Sequence, residues 1–253
     1  MKTQPRIRLS VNVNKVATLR NSRGGSIPDV VRAARVCVSA GAGGITVHPR
    51  SDTRHITFAD VRELQGEFAG EWGKRLEFNI EGDPRADWLD LVCEVRPNQA
   101  TLVPVRAGEI TSQAGWTADT DAAWIDGVVQ RLHRAGCRVS LFVDPTEAAV
   151  RWAHARGADR IELYTEPFAR SFEQGAEQAL HSFQVYARAA TLAHSLGLGV
   201  NAGHDLDLDN LELFATLPHL DEVSIGHAII SDAVFRGLET VVHDYLEALS
   251  GSR

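Results

Sequence analysis

The chain has 253 residues, 44% of them hydrophobic and 23% charged, which suits one domain of α/β-barrel size with a sizeable core. Its net charge of −7 argues against a nucleic-acid partner, which calls for a basic stripe. No apolar run reaches the roughly 18 residues of a membrane span, and the start, MKTQPRIRLS, lacks the apolar stretch of a secretory signal. A cytoplasmic enzyme is expected, with Cys37, Cys93 and Cys137 reduced.

The elements in chain order follow one recurring phrase: a helix-like stretch ends in Gly, and a short β-rich run follows. It occurs in SAGAGGITVH (39–48), RAGCRVSLFVD (134–144), ARGADRIELYT (155–165) and SLGLGVNAGH (195–204). The runs are too short for helices and read as buried parallel strands. Strands are predicted near Ile7–Val13, Gly44–Val47, Leu76–Ile80, Gln99–Val103, Arg138–Val143, Arg160–Leu163, Gly199–Asn201 and Glu222–Ile225. Helices are predicted near Pro28–Ala40, Phe58–Phe68, Asp87–Val95, Ala122–Ala135, Thr146–Arg156, Phe172–Leu196, Leu208–Leu217 and Asp232–Leu249. In the sixth helix, Leu180, Phe183, Ala187 and Ala190 form one apolar face. Eight strand–helix units predict a closed (β/α)8 barrel as a single domain. An open doubly wound sheet is the alternative, but its glycine-rich first turn is absent, since Gly24-Gly25 comes too late. Two links, residues 14–27 and 104–121, are long enough to be binding loops, and Val105–Asp121 of the second reads as a mobile lid.

A barrel of this kind works at the carboxyl ends of its strands. There stand Asn12 and Asn14, His48 and Arg50, Glu81, Arg106 and Thr111, Asp144, Glu162 and Thr165, His204, and Gly226-His227. Three histidines and Glu81 on one rim suggest acid–base chemistry. The turns NAGHDLD (201–207) and SIGHAIISDAV (224–234) fit the usual phosphate site, with Gly203 and Gly226 letting backbone N–H groups approach an anion. Arg20, Arg23, Arg50, Arg54 and His55 form a second cationic group, although Arg20 and Arg54 singly read as solvated charge. Two anion sites would suit two phosphorylated substrates.

The runs VNVNKVATLRNSRGG (11–25), GITVHPRSDTRHIT (44–57), FNIEGDP (78–84), LVPVRAGEITSQAGW (102–116), VSLFVDP (139–145), LGLGVNAGHDL (196–206) and SIGHAII (224–230) resemble the pyridoxine 5′-phosphate synthase family, in order and over nearly the whole chain. The resemblance implies a TIM barrel with extra helices, assembled as a homo-octamer. It implies a transferase of vitamin B6 biosynthesis that uses no metal and no organic cofactor. The reaction would condense 1-deoxy-D-xylulose 5-phosphate with 3-amino-2-oxopropyl phosphate, releasing phosphate and water. By matching motif, His48 and Glu81 would accept protons and His204 would donate one. Asn12, Asp205, Gly226 and His227 would bind the amino-ketone phosphate. Asn14, Lys15, Arg50, His55 and Thr111 would bind the deoxyxylulose phosphate, and Arg23 would reach a substrate, in the adjacent subunit.

Some positions depart from the familiar pattern: Asn14-Lys15 replace an Asp-His pair, Val105 a Glu, and Asp205 a Gly. They bear on substrate contacts and leave the three acid–base positions in place. Alternative readings are a metal-dependent sugar-phosphate isomerase on His48, Glu81 and His204, a Schiff-base aldolase on Lys15, and a non-catalytic phosphate-binding barrel.

Overall fold

The strands alternate between two kinds of side chain. In β1 (Arg8–Asn12), Leu9 and Val11 alternate with Arg8, Ser10 and Asn12; in β3 (Glu77–Gly82), Phe78 and Ile80 alternate with Glu77, Asn79 and Glu81. Because successive side chains of a strand point to opposite faces, such a strand separates an apolar side from a polar one. The same alternation runs through β4 (Gln99–Leu102) and β6 (Arg160–Tyr164), through β5 (Arg138–Val143) as far as Leu141, and through β8 (Leu220–Ile225) from Glu222 onward. With β2 (Gly44–Val47) and β7 (Gly199–Gly203) these strands close into a parallel barrel in sequence order, β1 pairing with both β2 and β8. The computed structural model describes residues 7–70, 72–104 and 114–251.

The apolar faces pack outward against a ring of helices: α2 (Val30–Ser39), α3 (Phe58–Phe68), α4 (Ala86–Val95), α5 (Ala122–Arg134), α6 (Glu147–Ala155), α8 (Ala176–Ser195), α9 (Leu208–Phe214) and α11 (Leu238–Leu249). The helices start where their caps allow. Asp29 accepts a hydrogen bond from Arg32 N–H ahead of α2, and Thr57 forms a capping box with Asp60 ahead of α3. In α2 the buried Val30, Ala33, Ala34 and Cys37 follow helical spacing and face the strands.

Among the described residues, three helices go beyond one per strand: α1 (Asn14–Asn21), α7 (Glu166–Glu173) and α10 (His227–Arg236). They correct three expectations. The link 14–27 is not simply a loop, because α1 occupies its first half; only Val16 and Ala17 of it are buried, too few for a periodic signal. The expected helix Phe172–Leu196 is two, α7 and α8, broken at Gly175 with φ +121°. The expected helix Asp232–Leu249 is also two, α10 and α11, hinged at Gly237 with φ +83°. An L side chain rarely adopts these backbone angles, so both glycines end one helix and re-aim the next. The face of α8 also differs from the reading. Ala179, Tyr186, Ala190 and Ala193 are buried, while Leu180 is 51% exposed.

The barrel interior is polar. Ser10 and Thr46 hydroxyls meet at 2.7 Å, Thr101 donates to Asn79 at 2.9 Å, and Arg160 donates to Asn201 at 2.6 Å. At the amino-terminal end Arg8 and Arg138 both pair with Glu77. Towards the carboxyl-terminal end Val103, Phe142 and Tyr164 form a small apolar cluster separate from the main core.

Candidate active site

His48 follows β2 and is held by its backbone. Its N–H donates to Asn14 Oδ1 at 2.9 Å, and Asn14 N–H in turn donates to Asn12 Oδ1 at 3.0 Å. The side-chain oxygen of Asn14 is therefore engaged in placing His48. Glu81 stands on the neighbouring strand. Trp88 Nε1 donates to its carbonyl at 3.0 Å, and Gly82 leaves the space that the Trp88 indole fills. The outcome is a His48 Nδ1–Glu81 Oε2 separation of 3.7 Å between two buried side chains.

Their protonation follows from burial. His48 is pushed down to about 3, first by desolvation and then by the positive charge of Arg50. Glu81 is raised from the ordinary carboxylate value by desolvation, and Glu162 on β6 is raised likewise, with the negative charge of Glu81 adding to the effect. Burial thus favours the protonated form of the carboxyl groups and the neutral form of the imidazoles. Motif logic favoured pKa values near neutrality; the dry barrel mouth moves the histidines well below it. Among the described residues, His48 Nε2 and Glu162 Oε2 are buried without a hydrogen-bond partner. Such an atom costs about 1–3 kcal/mol in a folded protein, and functional sites commonly tolerate that cost.

His204 follows β7 in a turn of unusual backbone. Its φ is +82° and that of Asp205 is +56°. Two consecutive left-handed non-glycine residues cost about 1–3 kcal/mol each. The imidazole lies 4.9 Å from the Phe142 ring and 5.7 Å from the Tyr164 ring, centroid to centroid. Desolvation pushes it down to about 4, opposed by the charge of Asp205. Gly203 just before it has no room for a side chain, since a Cβ there would lie 2.7 Å from Glu162 Oε1.

The cationic side of the mouth is narrower than the motifs suggested. Arg50 and His55 are both buried, and His55 Nδ1 accepts Ile56 N–H at 3.0 Å, leaving Nε2 to carry the proton of the neutral ring. The His55 and His48 rings lie 6.1 Å apart, and desolvation pushes His55 down to about 3. Lys15, half-buried in the first turn of α1, adds to the same field. Arg20 does not join this group and is not a solvated charge. It forms a fork with the buried carboxylate of Asp60. Arg54 pairs with Asp52 outside the mouth. Arg23 is exposed in the turn after α1.

Two strands round the barrel from β2, after β8, Gly226 caps α10 and His227 opens it. Gly226 lies against Asn12, with a Cβ there only 2.8 Å from Asn12 O, so Asn12, Gly226 and His227 adjoin one helix N-terminus, a natural anion position. Asp205 is exposed, and its carbonyl accepts from Asn210 Nδ2 at 3.0 Å. Thr111, Arg106 and most of the expected lid lie outside the described residues. The described return of that link is anchored: Trp116 N–H donates to Phe142 O at 2.9 Å, and its indole to Leu102 O at 2.8 Å.

This polar mouth, with histidines from β2 and β7 facing a carboxyl from β3, stands in a chain whose residues 9–251 match the family described as pyridoxal phosphate biosynthesis protein PdxJ. The chain belongs to that family. Relatives include the pyridoxine 5′-phosphate synthases of Christiangramia forsetii, 50% identical over 96% of this chain and 99% of that one, and of Porphyromonas gingivalis, 49% identical over 96% and 99%. A solved structure of KGPDC from Streptococcus mutans superposes with a TM-score of 0.62 at 12% identity, covering 97% of this chain and 98% of that one, a likeness of fold alone. The chain is thus a biosynthetic enzyme on a TIM barrel.

Two residues of this family member, Glu162 and Arg85, gain a place in the site that motif reading did not assign. Glu162 was visible as a strand-end residue, but only barrel closure brings it beside Glu81 and Gly203. Arg85 brackets the mouth, donating to Pro49 O at 3.0 Å and Asp83 at 2.9 Å while its guanidinium lies 5.7 Å from the Phe58 ring. No sequence spacing links Arg85 to Pro49. His48, Glu81 and His204 do not assemble into a metal-binding group; among the described residues no three His, Cys, Asp or Glu side chains do. No helix among the described residues is long and apolar enough to cross a membrane.

Proposed function

We propose that this chain is a pyridoxine 5′-phosphate synthase, condensing 1-deoxy-D-xylulose 5-phosphate with 3-amino-2-oxopropyl phosphate and releasing inorganic phosphate and water. The observation that carries the reading is the 3.7 Å approach of His48 to Glu81 in a buried mouth rimmed by His204, in a chain half-identical to relatives of that name. Imine formation, dehydration, phosphate elimination and ring closure each move protons, and two imidazoles and a carboxyl can carry them. No metal or organic cofactor is needed for such steps.

The protonation pattern suggests an order. His48 enters bare and is ready to accept a proton. Glu81 enters protonated, so it donates before it can accept. His204 enters neutral and must gain a second proton before it acts as an imidazolium donor. A substrate phosphate beside Arg50 offsets the positive charge that depresses His48 and His55, moving both imidazoles upward towards the working range. Arg50, His55, Lys15 and Thr111 hold the deoxyxylulose phosphate in this reading. Asn12, Gly226, His227 and the backbone of Asp205 hold the amino-ketone phosphate. Asn14 acts through His48.

Arg23, exposed beyond the mouth, reaches the site of an adjacent subunit in a cytoplasmic homo-octamer. Mixing Arg23→Ala with His48→Ala chains should restore activity that neither has alone; mixed oligomers as inactive as their parents would place Arg23 elsewhere. The direct test of function is incubation with both phosphorylated substrates, which should yield pyridoxine phosphate and inorganic phosphate in equal amounts, unchanged by exhaustive chelation. Loss of turnover on chelation with recovery on Zn²⁺ or Mn²⁺ would favour the isomerase-like alternative.

A further inference from the structure

The turn at His204 is conformationally costly, and two buried side chains outside the motif run hold it. Thr165, fully buried just after β6, points its hydroxyl at the carbonyls of both Gly203 and His204, at 2.7 Å for Gly203. Its N–H also donates to Gly203 O at 3.1 Å. Asn210, 2% exposed on α9, donates through Nδ2 to the next carbonyl, Asp205 O, at 3.0 Å. The other end of its amide is already occupied, because Oδ1 accepts Asp207 N–H at 3.1 Å in the capping box of α9. Three successive carbonyls, from Gly203 to Asp205, thereby each accept a hydrogen bond from a residue outside the turn. The backbone that carries the imidazole is fixed at positive φ for two residues in a row.

We propose that Thr165 and Asn210 are positioning residues for the reaction: together they lock the left-handed His204–Asp205 turn and so hold the His204 ring between Phe142 and Tyr164, aimed at the substrates. Neither side chain needs to touch substrate. A left-handed turn of non-glycine residues reverts to ordinary backbone angles when its restraints are removed, and that rotation swings the ring off its aromatic seat. Thr165 supplies the restraint from the turn after β6 and Asn210 from α9, so the proton-transfer group depends on the preceding strand–helix unit as well as on its own. The proposal rests on the synthase reading for what the ring does, but not for where it sits.

The test uses near-isosteric changes in the full-length protein. Thr165→Val exchanges the hydroxyl for a methyl, Thr165→Ser keeps the hydroxyl, and Asn210→Asp keeps the capping acceptor while removing the donor to Asp205 O. For Thr165→Val, kcat should fall on the order of 10²-fold, the loss associated with misplacing a catalytic group by about 1 Å, with KM for both substrates nearly unchanged. Thr165→Ser should recover most of the loss, and Asn210→Asp should fall in the same direction by less. The position of His204 is read independently, from the crystal structure of each variant and the imidazole resonances of the free enzyme. A folded Thr165→Val protein with wild-type kcat and an unmoved His204 would overturn the proposal, as would a Thr165→Ser protein as impaired as Thr165→Val. If Thr165→Val does not fold, Asn210→Asp decides the matter by the same two readouts. Should the wild type make no pyridoxine phosphate while Thr165→Val still displaces His204, the synthase reading fails and the positioning role stands.

Discussion

On β3, Phe78 and Ile80 turn outward into an apolar layer shared with the helices, whereas Glu77, Asn79 and Glu81 turn inward to a barrel axis lined with carboxyl, amide and hydroxyl groups. The outward face is ordinary core: Phe78 stacks on Phe68 at 4.7 Å, and neither ring carries a polar atom to satisfy. The inward face departs from the usual barrel interior, which branched aliphatic residues fill. Here each buried polar group needs a partner, and where the partner is missing, as at His48 Nε2 and Glu162 Oε2, the chain tolerates a destabilising atom. Stability and chemistry are assigned to opposite faces of the same strands. Substitutions on the two faces should therefore fail in different ways.

The largest effect should come from the outer face. Phe78→Ala removes a fully buried ring and should cost about 3–5 kcal/mol of unfolding free energy. Denaturant titration would read that loss, while kcat of the remaining folded enzyme should change little. A selective loss of kcat would show that the two faces are not separable.

Next comes Glu81→Gln, which keeps the shape and removes the titrating proton. Turnover should drop on the order of 10²-fold or more, equivalent to about 2.7 kcal/mol of barrel-mouth chemistry. The folded protein should be no less stable than wild type, and more stable towards higher pH. The carboxyl is raised above its unfolded value of 4.5, so the folded state resists an ionisation that the unfolded chain undergoes freely, and stability drains away as pH rises above that value. Gln cannot ionise and escapes the loss. A variant that keeps wild-type turnover would remove Glu81 from the mechanism.

A third test lies on the acid side of the stability profile. His48, His55 and His204 take up protons at about 3, 3 and 4 when folded, against 6.5 for the unfolded chain. The unfolded state therefore binds more protons in that window, and stability should fall as pH drops from 6.5 towards 4. His55→Asn should flatten this fall in thermal melts taken across the window. An unchanged slope would mean that His55 is not held neutral by the mouth.

Much of the architecture was legible in the chain because it rests on local rules. Gly-terminated helices before short β-rich runs located the strands, and the polar residues after them marked the working rim. All three acid–base candidates, His48, Glu81 and His204, were readable in this way, since each directly follows or ends a strand. Features that depend on one residue's backbone, such as the breaks at Gly175 and Gly237, were less legible, because a glycine inside an otherwise helical pattern reads equally well as a tolerated interruption. Only the closed barrel decided that Glu162 feels the charge of Glu81, that Arg20 belongs to Asp60 rather than to a phosphate, and that Thr165 meets the turn of His204. These partners are tens of residues apart in sequence. No period or motif links them, and burial, which shifts His48, His55, His204, Glu81 and Glu162 from their ordinary protonation, exists only once the eight strands have met.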